Sequence, residues 1–153
     1  MKLQQATRYA ILATVHMAAN PGKQVSAYEL AAFYGLSQHH LAKVLRTLSM
    51  AKIVSSTRGP NGGCTFIANP KHVTLYDIIV LFENDWWDTE AESEPSGVAR
   101  EVSRVLSELD RITMATLRSV TIQTIINNAR RSELRDRDSS TIEERAIERA
   151  EAK

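Results

Sequence analysis

Residues 26–51, SAYELAAFYGLSQHHLAKVLRTLSMA, read as two short helices joined by a glycine turn. Ser26 and Glu29 have the Ser-x-x-Glu spacing of a capping box, in which hydroxyl and carboxylate satisfy backbone N–H groups that a helix start leaves unpaired. A helix is therefore predicted from about Ala27, with Leu30, Ala31 and Phe33 or Tyr34 on its apolar side, and Gly35 is free to take the left-handed conformation that ends it. Ser37 then caps a second helix running to about Ala51. In that helix Leu41, Val44, Leu45 and Leu48 fall at i, i+3, i+4 and i+7 and face a core. The opposite stripe is His39, Lys43 and Arg46, flanked by Gln38, His40 and Thr47, with no carboxylate from Gly35 to Lys52. Cations, an amide and hydroxyls suit a DNA major groove, where phosphates line the rim and base edges offer acceptors. A solvated amphipathic helix would carry the same pattern, so the next stretch decides.

Residues 53–57 are β-branched and alternating, residues 58–63 (RGPNGG) form a turn cluster, and residues 64–67 return as a second strand. A hairpin directly after a helix-turn-helix is a wing. Its tip can place Arg58 in a minor groove, with Gly59, Asn61 and Gly62 letting the backbone approach phosphate. Here the chain resembles the bacterial winged-helix regulators of the Rrf-two (Rrf2) family, typified by IscR, NsrR, RirA and CymR. The resemblance is carried by RYA at residues 8–10, the helix pair of residues 26–48, RGPNGGCTFIANP at residues 58–70 and VTLYDII at residues 73–79, and it spans roughly residues 1–128. It implies a mainly α fold with a small β-hairpin: a winged helix-turn-helix domain plus a long dimerisation helix. It further implies a homodimeric transcription regulator, a repressor, on double-stranded DNA bearing an imperfect palindrome. Ser37, Gln38, His39 and His40 would read or position, and Lys43, Arg46 and Arg58 would be the charged contacts.

The 153 residues carry 19 Lys and Arg against 18 Asp and Glu, but unevenly. Residues 1–80 hold eight basic groups and only Glu29 and Asp77 as acids, so the front half is strongly positive and the back half acidic, as suits a polyanion-binding head on a separately functioning body. The apolar N-terminal run is interrupted by Gln4, Gln5, Thr7 and Arg8 and contains His16, which favours a buried first helix ending at Asn20-Pro21-Gly22 over a signal peptide. No stretch approaches a membrane span. A single cysteine rules out an intrachain disulfide and suits a cytoplasmic protein. The chain has no phosphate loop, nucleophile motif or metal box, so a binding protein is expected rather than an enzyme. A winged-helix module that docks on an acidic protein instead of DNA is the alternative.

The remainder divides into residues 1–83 as the DNA-binding domain, 84–97 as an exposed acidic loop, 98–128 as a dimerisation helix with a short closing helix, and 129–153 as a solvated tail, disordered or transiently helical from Thr141. Thr74 and Asp77 are spaced to cap a short helix reaching Leu81 or Phe82. Val98, Val102, Val105, Leu109 and Ile112 repeat at 4, 3, 4 and 3, an apolar stripe that needs a partner. In the loop, Trp86 and Trp87 pack beneath it or wall a small-molecule effector site. Cluster-binding relatives in the resembled family draw three cysteines from this region, whereas this chain has none there, so no iron–sulfur cluster or other cofactor is expected. Cys64 either fills a strand position as a small apolar group or, if exposed near Arg58, serves as a redox sensor. His39 and His40 are adjacent and make a poor chelating pair; His16 is a core histidine and His72 a surface one.

Overall fold

The computed structural model describes residues 3–59, 62–83 and 96–151, with side chains of the last helix described as far as Arg137. Asn61, Trp86 and Trp87 lie outside the described residues. The elements in order are α1 (Gln5–Ala19), α2 (Ala27–Tyr34), α3 (Gln38–Met50), β1 (Val54–Thr57), β2 (Gly63–Phe66), α4 (Leu75–Ile79), α5 (Gly97–Ser119) and α6 (Ile122–Glu151). None of the described helices is long and apolar enough to cross a membrane.

α1 lies at the centre and packs on α3, α4, α6 and β2. It buries Tyr9, Ala10, Ala13, Met17 and Ala18, as an apolar first helix should. Its start has no local side-chain cap. Instead Glu83, almost fully buried and far along the chain, accepts a hydrogen bond from the Gln4 N–H at 2.8 Å and another from the Thr7 hydroxyl. That carboxylate ties the end of the winged-helix domain to its beginning and satisfies a donor that the helix leaves orphaned.

The helix pair forms as its caps dictate. Ser26 Oγ accepts from the Glu29 N–H at 3.1 Å, Glu29 Oε2 accepts from the Ser26 N–H at 2.6 Å, and Gly35 closes α2 at φ 64°. Ser37 begins α3, whose Leu41, Val44, Leu45 and Leu48 are all buried in the core shared with α1. α3 ends on Lys52, a non-glycine residue held in the left-handed region at φ 56°, with the Ile53 N–H reaching back to the Leu48 carbonyl at 3.1 Å.

The hairpin is antiparallel, pairing Val54 with Phe66 and Thr57 with Gly63. Gly63 therefore belongs to β2, not to the tip, and the second strand runs one residue earlier than the sequence pattern suggests, while the first begins one residue later, at Val54. A second pairing explains the shift. Cys64 exchanges both backbone hydrogen bonds with Val25, at 2.8 and 2.9 Å, so the segment just before the Ser26 cap of α2 bridges to the hairpin at one residue. Gly63 passes so close to that segment that a Cβ there would sit 2.9 Å from the Val25 carbonyl oxygen.

α4 opens with the expected Thr74–Asp77 capping box but ends at Ile79, short of Leu81; Ile78 and Ile79 are buried, while Leu75 and Phe82 are half-buried. Ser96 caps α5, and Thr121 caps α6 through the Thr124 N–H at 3.1 Å. The α5–α6 junction is pinned to the domain by the Leu75 N–H on the Val120 carbonyl and the Ile122 N–H on the Val73 carbonyl, both 2.9 Å, with the Arg118 guanidinium 4.2 Å over the Tyr76 ring. The closing helix does not stop near Asn128. It runs on to Glu151, which corrects the expected tail: no glycine or proline falls between residues 122 and 151, and Glu133 precedes Arg137 at i, i+4. Ile122 and Ile126 are buried against the core, whereas residues 127–137 are exposed.

Candidate nucleic-acid interface

With its leucine stripe turned inward, α3 presents Ser37, Gln38, His39, His40, Lys43 and Arg46 to solvent, all exposed, with Thr47 half-buried beside them. The core stripe thereby fixes the rotation of the helix, and the outward face follows from it. Among the described residues the ion pairs shown are Glu101–Arg104 and Glu108–Arg111 on α5, so Lys43, Arg46 and Arg58 carry unneutralised charge. His39 and His40 have ring centroids 6.2 Å apart and lie free on the surface.

Two clefts flank α3. One, about 640 Å³, lies between α3 and the hairpin; Arg46 and Ser49 line its helix side, Arg58 and Ser56 its hairpin side, with Ala27 at the start of α2 and Cys64 also lining it. The other, about 370 Å³, runs between α3 and the start of α1 and is lined by Gln5, Tyr9, His40, Lys43, Thr47 and Phe82. The structure thus brings Arg46 and Arg58 to one cleft, while Lys43 and His40 line the other. Arg58 and Gly59 are exposed beyond β1, and Gly59 adopts φ 125°. Gly62 is required by the turn itself, because a Cβ on it would lie 2.6 Å from the Thr57 carbonyl oxygen.

Cys64 is 6% exposed and belongs to the core. Burial pushes its thiol pKa up, a shift only partly offset by the Ser56 hydroxyl. The exposure that the redox reading needs is not there. His16 is half-buried, its Nδ1 3.2 Å from the Tyr34 hydroxyl, with Phe33 and Tyr34 edge-on to its ring; burial and the nearby Lys23 hold its pKa below the ordinary value. His72 is exposed. On α5, Val98, Val102, Val105, Leu109 and Ile112 are between 47% and 78% exposed, and Leu117 is the buried member of that helix. The residues that sequence reasoning missed are Ser49, Ser56 and Ala27, which carry no charge or motif, and Glu83, whose partners Gln4 and Thr7 lie 79 and 76 positions away.

The comparisons agree with this geometry. The chain is 47% identical over 127 residues to the HTH-type transcriptional regulator BadM of Rhodopseudomonas palustris, covering 82% of this chain and 81% of that one. Its fold is that of CymR, the global cysteine regulator of B. subtilis (TM-score 0.72, 24% identity, 84% of this chain and 98% of that one), and of T. potens IscR (TM-score 0.69, 24% identity, 84% and 88%). The family model that matches residues 3–128 is described as an iron-dependent transcriptional regulator. The one cysteine of the chain is buried, and among the described residues no three His, Cys, Asp or Glu side chains could hold a metal ion together. The winged helix-turn-helix, the charged face of α3 and a match over most of its length place this chain in the Rrf2 family of DNA-binding transcriptional regulators, which are not enzymes.

Proposed function

We propose that this chain represses transcription as a homodimer, with the two α3 helices in major grooves and the two wings at the adjoining minor grooves of an imperfect palindrome. The observation that carries the reading is the carboxylate-free face of α3, whose Arg46 shares a cleft with Arg58 of the wing, neither charge being neutralised within the described chain. The apolar stripe of α5 supports the dimer: five aliphatic side chains stay in water in one copy and would be covered by the same stripe of a second. The protein would work without an iron–sulfur cluster, in keeping with its single buried cysteine. Burial of Cys64 also weighs against a thiol switch, leaving a small-molecule signal, with Trp86 and Trp87 as the candidate wall of its site. Fluorescence anisotropy with duplex DNA tests the central claim: log affinity should fall linearly with log salt as counterions are released. A chain that sediments as a monomer and ignores duplex DNA at low salt refutes it.

A further inference from the structure

We infer that the α3–wing cleft is a phosphodiester site, and that Arg46 and Arg58 grip the backbone of the DNA strand running between the two grooves while the first turn of α3 reads the bases. The inference rests on the DNA-binding reading above and sorts its contacts. Arg46 approaches the cleft from the helix and Arg58 from the hairpin, and the Ser49 and Ser56 hydroxyls lie on the same two sides. A phosphodiester carries one negative charge on two non-bridging oxygens, each able to accept from a guanidinium and a hydroxyl. Four donors on the two sides of one cleft, two of them cations with no ion pair shown among the described residues, match that group. A base edge, approached from one side within its plane, has no use for donors on both walls.

The length of α3 supports the same division. A helix rises about 1.5 Å per residue, so Arg46 stands about 12 Å beyond Gln38, comparable to the width of a major groove. With Ser37, Gln38, His39 and His40 at the base edges, as the N-terminal turn of a recognition helix is placed, Arg46 has reached the phosphate rim. The wing is held in position to close the other side. Cys64, which also lines the cleft, is bonded through its backbone to Val25, and Val25 leads directly into α2. Arg46 is thus a positioning residue of the interface, and Ser49 and Ser56 are new members of it.

The test uses the full-length protein and two duplexes of equal length, one selected by the wild-type chain from a randomised pool and one unrelated. Arg46→Gln should weaken binding to both by a similar factor, about tenfold, and reduce the slope of log affinity against log salt by about 1. Ser56→Ala should weaken both by about threefold, whereas His39→Ala should weaken only the selected duplex. All three positions are exposed or half-buried at the surface, and circular dichroism confirms that the variants fold. Replacing single phosphates of the selected duplex by uncharged methylphosphonates locates the group: at one position per half-site the wild type should lose affinity and Arg46→Gln should lose no more. An Arg46→Gln protein that loses only the selected duplex, with its salt slope unchanged, overturns the assignment and makes Arg46 a base reader. A wild-type chain that selects no duplex overturns the DNA-binding reading, and this inference with it.

Discussion

Gly63→Ala is the substitution on which the placement of the wing can be tested most sharply. The added methyl would lie 2.9 Å from the Val25 carbonyl oxygen, 3.0 Å from its carbonyl carbon and 2.9 Å from Gln24 Cγ. The Gln24 side chain can move aside, but the Val25 backbone cannot do so without lengthening the two hydrogen bonds it exchanges with Cys64. Two backbone hydrogen bonds contribute about 1–3 kcal/mol net, and forcing a methyl into a closed contact costs a similar amount when nothing yields. A loss of about 2–3 kcal/mol is therefore expected. In urea denaturation it should appear as a lower midpoint with an unchanged m-value. Gly97→Ala, where a Cβ meets nothing within 4 Å, is the matched control and should be neutral or slightly stabilising. The DNA affinity of Gly63→Ala, measured where it is still folded, should fall as well, because the hairpin carrying Arg58 and Ser56 loses its anchor while α3 stays in place. A midpoint equal to that of the wild type would refute the account of why the wing sits where it does.

Leu109→Glu, in the middle of the exposed α5 stripe, should convert a dimer to a monomer in sedimentation velocity at micromolar concentration while leaving the helical circular dichroism intact. Lys52→Gly should raise stability by about 0.5–1 kcal/mol, since it relieves a left-handed conformation at φ 56° that L side chains rarely adopt, and a higher urea midpoint would show it. Native Cys64 should react with iodoacetamide at least about tenfold more slowly than in the urea-unfolded chain, its thiol being both buried and held protonated. His16 has a folded pKa below the ordinary value, mainly through burial, so the unfolded chain binds the extra proton more readily. Its stabilising contribution is complete above the unfolded pKa of about 6.5 and is lost as pH falls below it towards the folded pKa, and the pH dependence of the urea midpoint between pH 7 and 5 should shrink in His16→Asn.

Most of the secondary structure was legible from neighbouring residues. Capping boxes at Ser26–Glu29 and Thr74–Asp77, the left-handed Gly35, the leucine stripe of α3 and the aliphatic stripe of α5 all rest on residues spaced one or two turns of helix apart or less, and their spacing in the chain is their geometry in space. The outward face of α3 follows from that stripe alone, which is why its exposed residues could be named from sequence. The end of α6 was misjudged because a charged, exposed helix lacks the apolar period by which helices are recognised, and nothing in its composition stops it.

The site as a site came only with the tertiary structure. Val25 meets Cys64, Glu83 meets Gln4 and Thr7, and Arg46 faces Arg58 across a cleft with Ser49 and Ser56, and every one of these joins separate elements. Such pairings depend on how the core closes, and a closing core leaves no periodic trace in the order of residues. What local spacing determined was the helix proposed to meet DNA and the way it faces. Long-range packing decided where the wing stands against that helix, which charges it brings together, and which of the two readings of Cys64 holds, its side chain being buried in the core.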